Sequence, residues 1–96
     1  MTVEEMKALF EKHDKEYIEF DRVKVKRSSR PDLHAFLLLD ELIPDKGVDM
    51  VAGAEHDEVY LAPELEEVAG AITEEQVVEL VRCGVRLGEY GFCMFV

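Results

Sequence analysis

The sequence predicts an α+β domain spanning residues 1–96: a mainly antiparallel sheet covered by three to four helices, with a C-terminal hairpin contributing an inner strand. Three observations carry that reading. Thr2 and Thr73 each stand three residues before a Glu or Gln and open an apolar pattern of helical spacing. Short apolar runs at 48–62 and 85–96 come in pairs around turn-forming residues. The helical and extended stretches fall in segregated runs.

The first helix is read from Thr2 to about Lys15. Thr2 and Glu5 form a capping box, Glu4 and Glu5 suit the positive end of the helix dipole, and Val3, Met6, Leu9, Phe10 and His13 make one apolar stripe. That stripe can be continued through Tyr17 and Phe20, giving a longer helix. The aromatic and β-branched content of Tyr17 to Lys26, with Val23 and Val25 alternating against Lys24 and Lys26, favours a strand instead. A bulge near Asp21 and Arg22 would then reconcile the opposite parity of Ile18 and Phe20.

A second helix follows a Ser28–Ser29 loop. Ser29 is the expected cap, Pro31 is tolerated in the first turn, and Leu33 to Ile43 is so rich in apolar residues that the helix is read as central and nearly surrounded. Ile43 to Gly47 has turn composition. Strands at Val48–Ala52 and Glu58–Ala62 flank a Gly53–Asp57 loop, Pro63 opens a short helix from Glu64 to Ala69, and Gly70 ends it. The last helix begins with the Thr73–Gln76 capping box, buries Val77, Leu80 and Val81, and stops at Gly84 in a left-handed C′ position. Beyond it Val85 and Leu87 alternate with Arg86, residues 88–91 turn, and Phe92–Val96 is apolar throughout, as a strand covered on both faces is.

Ninety-six residues suffice for a core without metal or disulfide staples, and no cofactor is needed to fold it. The N-terminus lacks the basic-then-apolar pattern of a signal peptide, so a cytoplasmic location is expected. Cys83 and Cys93 show no Cys-x-x-Cys pattern and read as small buried apolar residues of a reducing compartment. Thr2, Ser28, Ser29 and Thr73, the only aliphatic hydroxyls, all have capping or loop roles. Without a glycine-rich phosphate loop or nucleophile elbow, the sequence assigns no catalytic residue.

Charge is the strongest compositional signal. The net charge is −11, and it is segregated: Arg22, Lys24, Lys26, Arg27 and Arg30 occur without an intervening acid, whereas residues 31–81 hold fourteen carboxylates against Lys46 alone. Direct binding to nucleic acid or an anionic membrane is disfavoured. An acidic face is expected from Asp57, Glu58, Glu64, Glu66, Glu67, Glu74, Glu75 and Glu79, suited to a basic protein partner. The basic stretch is read either as a counterweight to these acids or as a small anion-binding patch. Glu55, His56, Asp57 and Glu58 form the only dense set of ligand-type side chains, read as a solvated turn or, less simply, as a metal or acid–base centre.

The runs Ala54–Leu61 and Leu80–Arg86 resemble pieces of small accessory proteins carried by bacteria and their phages, a resemblance that implies no activity. The expected function is therefore a non-enzymatic interaction or regulatory protein. Two other classes stay open: a small metal-assisted or acid–base enzyme at residues 55–58, and a homodimer paired through the Phe92–Val96 strand.

Overall fold

A computed structural model describes residues 1–44 and 47–95. Its helices are α1 (Val3–Lys12), α2 (Pro31–Leu42), α3 (Leu65–Ala69) and α4 (Glu74–Arg82), and its strands are β1 (Val51–Glu55), β2 (Glu58–Leu61), β3 (Arg86–Gly88) and β4 (Gly91–Phe95). The strands form one antiparallel sheet in the order β1-β2-β4-β3, so the C-terminal hairpin does place its second strand inside the sheet. None of the helices is long and apolar enough to cross a membrane, among the described residues.

The two capping boxes form as their spacing requires. Thr2 Oγ1 accepts from the Glu5 N–H at 3.1 Å while Glu5 Oε1 accepts from the Thr2 N–H at 2.7 Å; Thr73 and Gln76 repeat the exchange at 3.2 and 3.0 Å. At the other end of α4, Gly84 adopts φ +94, the Val85 N–H reaches the Leu80 carbonyl, and the Gly84 N–H reaches that of Val81. This is a Schellman ending, which satisfies carbonyls that a helix otherwise leaves bare.

The core lies between the helices and one face of the sheet. Met6 and Phe10 of α1, Leu38 and Leu39 of α2, Val68 of α3 and Leu80 of α4 meet Leu61, Val85, Phe92 and Met94. Residues of opposite parity, Glu58 and Tyr60 on β2 with Cys93 and Phe95 on β4, stand on the other face. Cys93 is fully buried there because Gly88 lets the strands close on it: a Cβ on Gly88 would lie 2.9 Å from the Cys93 sulfur. Phe95 is exposed, so the cover over β4 extends only through Met94. Val96 lies outside the described residues.

Residues 17–26 form neither the expected strand nor a continued α-helix. The chain makes two short 3₁₀ turns, Asp14–Glu16 and Phe20–Arg22, around Ile18, whose φ of +57 is unusual for a β-branched residue. The Ile18 N–H donates to the Val81 carbonyl at 3.1 Å, tying the loop to the end of α4. Val23 is buried while Val25 is exposed, so the alternation marks a single buried side chain with no sheet beside it.

The start of α2 also departs from expectation. Its N-cap is Arg30, without a side-chain cap; Ser28 Oγ accepts from the Arg30 N–H, and Pro31 at the first helical position has no N–H to satisfy. Nor is α2 surrounded. His34, Ala35, Leu38 and Leu39 are buried, but Leu33 and Leu37 remain 41% and 40% exposed. The expected turn at Ile43–Gly47 lies partly outside the described residues. The first hairpin is present but shifted: β1 begins at Val51, leaving Val48 outside the strand, and His56 and Asp57, both at positive φ, make a two-residue turn. The twist of paired antiparallel strands favours that tight mirror-image turn over a five-residue loop.

Candidate functional site

The expected acidic face divides once its side chains are placed. Glu58 pairs with Arg86, whose guanidinium also stacks 4.0 Å above the Phe95 ring. Glu74 Oε2 takes a hydrogen bond from His13 Nε2 at 2.7 Å and another from Lys12 Nζ at 3.2 Å, which hold its carboxyl below the usual 4.5. Glu79 Oε2 lies 2.9 Å from His34 Nε2 and 3.2 Å from Arg27 Nη1. These three carboxylates have internal partners. Asp57, Glu64, Glu66, Glu67 and Glu75 make no ion pair among the described residues.

The basic stretch serves one of those acids, Glu79 through Arg27, and two outside the face, Glu16 and Glu41. Arg22 Nη1 donates to Glu16 Oε2 at 2.9 Å, and the other oxygen of Glu16 receives Arg82 Nε at 2.8 Å. Arg82 is the first cause of the depressed Glu16 pKa. Arg27 Nε donates to Glu41 at 3.1 Å, and Lys26 Nζ donates to the Val23 carbonyl at 2.7 Å. Lys24 and Arg30 alone of the five are without such contacts among the described residues. Arg22 and Arg27 face carboxylates of their own chain.

His34 organises this packing. It is fully buried, its Nδ1 accepts from the Arg27 N–H at 3.0 Å, and Nε2 therefore carries the proton donated to Glu79. Phe20 packs edge-on against the imidazole, with ring centroids 5.6 Å apart. The cluster pins the irregular Val23–Arg30 segment to α2 and α4. Beside it, burial and then the Glu79 charge push the Cys83 thiol up to about 12, so it stays protonated and inert at neutral pH.

Glu55, His56, Asp57 and Glu58 do not converge. His56 and Asp57 occupy the exposed hairpin tip, the His56 ring touches only Glu55 at 3.1 Å, and Glu58 turns to Arg86. No three His, Cys, Asp or Glu side chains among the described residues are grouped to hold a metal ion. β4 pairs with β3 over Gly91–Cys93 and with β2 over Cys93–Phe95, so it lies inside the sheet and not at an edge.

What the structure assembles instead is a groove of about 460 Å³ beside α2. Phe36, Leu37 and Ile43 form one wall and Val48, Met50, Ala62 and Pro63 the other. Four carboxylates edge it: Asp40, Asp49, Glu64 and Glu67, all exposed. Glu64 and Glu67 belong to the face expected from the sequence; Asp40 and Asp49 do not. Comparison with protein-family models, curated proteins and solved structures finds no match to the chain.

Proposed function

We propose that the protein is a non-enzymatic binding protein that presents carboxylates to a basic protein partner, and that the groove beside α2 is where it does so. One observation carries the reading: an apolar groove edged by Asp40, Asp49, Glu64 and Glu67, none of them ion-paired to a cation among the described residues. Elsewhere Glu16, Glu41, Glu74 and Glu79 are matched to bases. Clustered like charges repel, and a cationic partner relieves that repulsion while being steered toward the groove.

The test is retention of basic proteins from a cell lysate on the immobilised chain, compared with a variant carrying Asp40→Lys, Glu64→Lys and Glu67→Lys. The native surface is expected to hold a discrete basic species at low salt and release it as salt rises through about 0.1 M, where screening reaches roughly 10 Å. The variant is expected to retain none of it while keeping the same circular dichroism spectrum. Equal retention by both proteins would overturn the reading.

A further inference from the structure

We propose that the occupant of this groove is a basic amphipathic helix of a partner protein, about three turns long, seated along the outer stripe of α2. The proposal rests on the acidic-groove reading and specifies its ligand.

The first argument is the double-sided character of α2. Its inner face buries Ala35, Leu38 and Leu39, whereas Leu33 and Leu37, four apart, face outward with the partly buried Phe36 beside them. A helix packed on one side only normally turns polar residues to water; α2 leaves Leu33 and Leu37 about two-fifths exposed. The apolar track also extends past the acidic groove. Phe36 walls a second groove of about 530 Å³, shared with Val51, Val59, Met94 and Phe95. Val48, Val51 and Phe95 along these grooves are 57%, 38% and 59% exposed. Exposed apolar area of this kind, bordered by polar side chains, marks an interaction surface.

Charge decides what covers it. Asp32 stands by the second groove and Asp40, Asp49, Glu64 and Glu67 by the first, so a partner meets carboxylates at both ends of the track. A second copy of this chain, itself at −11, would bring the same carboxylates face to face. A partner bearing Lys or Arg beside an apolar stripe meets both requirements. Shape decides its conformation. The long wall is α2, whose backbone groups are bonded within the helix and offer no ladder to an added strand. Its 12 residues span about 18 Å at 1.5 Å each, matching three turns of a partner helix anchored at i, i+3 or i+4, and i+7.

Three synthetic peptides of that length separate the requirements: one with a leucine stripe flanked by lysines, one of the same composition with the leucines scattered, and one with the stripe kept and glutamates replacing the lysines. Each is titrated into the full chain and followed by fluorescence anisotropy and by amide chemical shifts. The striped basic peptide is expected to bind at least about tenfold tighter than the scattered one, to move resonances of Leu33, Phe36, Leu37 and Met50, and to lose about tenfold with Leu37→Asp or Leu33→Asp. The striped acidic peptide is expected not to bind. Equal binding of the striped and scattered basic peptides, both weakened by Asp40→Lys, overturns the helical occupant and leaves the acidic groove standing. No salt-sensitive binding of either basic peptide overturns both readings. Concentration-dependent self-association abolished by Leu37→Asp assigns the track to a second copy and overturns the proposal. Both positions are partly exposed, and unchanged circular dichroism confirms that the variants fold.

Discussion

Helices α4 and α2 are built to different specifications. In α4 a single stripe, Val77, Leu80 and Val81, is buried, Glu74 and Glu75 lie exposed on the first turn, and both ends are closed by side-chain or Schellman hydrogen bonds. In α2 the first turn has no side-chain cap at Arg30, and leucines occupy both the buried face and the open one. The contrast separates a helix completed within the fold from one whose second face is only partly covered. Of these two helices, the core takes the one stripe of α4 and the inner stripe of α2, while the outer stripe of α2 stays partly exposed.

The largest expected effect breaks or upholds that contrast directly. Leu80→Ala removes a fully buried side chain and is expected to cost about 2–5 kcal/mol in urea unfolding, whereas Leu37→Ala is expected to stay within about 0.5 kcal/mol. Comparable losses at the two positions would show that α2 is covered after all. A smaller effect sharpens the comparison at the helix starts. Thr73→Ala is expected to lower stability by about 1 kcal/mol through loss of the capping box, and Arg30→Ala to leave the unfolding midpoint almost unchanged. A loss at Arg30 as large as that at Thr73 would contradict the uncapped start of α2.

The smallest effect lies at the last turn of α4, where Arg82 clamps Glu16. Because the folded carboxyl titrates below its usual 4.5, its contribution to stability is fully present above that value and is lost as pH falls through the depressed folded value. Glu16→Gln is expected to flatten the fall in melting temperature below pH 4.5. A variant with an unaltered acid profile would remove Glu16 from the account. The pair is only partly buried, and the water that still reaches it keeps the change small.

Much of the fold was legible because its signals are local. The capping boxes need only a residue and its third neighbour, the Gly84 ending needs one positive φ, and the unbroken apolarity of Phe92–Met94 marks an inner strand whatever its partners are. The segment 17–26 misled because β-branched residues report burial and stiffness together: Val23 needed a core, and no strand edge was offered to it. Ser29 looked like the cap because it sits near Pro31, but Arg30 took that place once Pro31 became the first helical residue. The acidic face was legible as composition and not as a surface. Glu74 and Glu79 find cations 62 and 52 residues away, at Lys12 and Arg27, and spacing along the chain says nothing of such partners.

By itself the sequence determined the α+β class, all four helix positions to within a few residues, the inner C-terminal strand, the burial of both cysteines and the excess of negative charge. These follow from hydrogen bonds and apolar periods that repeat within a few residues. Only the tertiary structure decided which carboxylates are neutralised, that His34 is locked between Arg27 and Glu79, that the Glu55–Glu58 cluster is split, and that Asp40 and Asp49 join Glu64 and Glu67 around an apolar groove. Each of those outcomes depends on which distant segments the packing of the core brings within a few ångströms, where Coulomb and contact forces act.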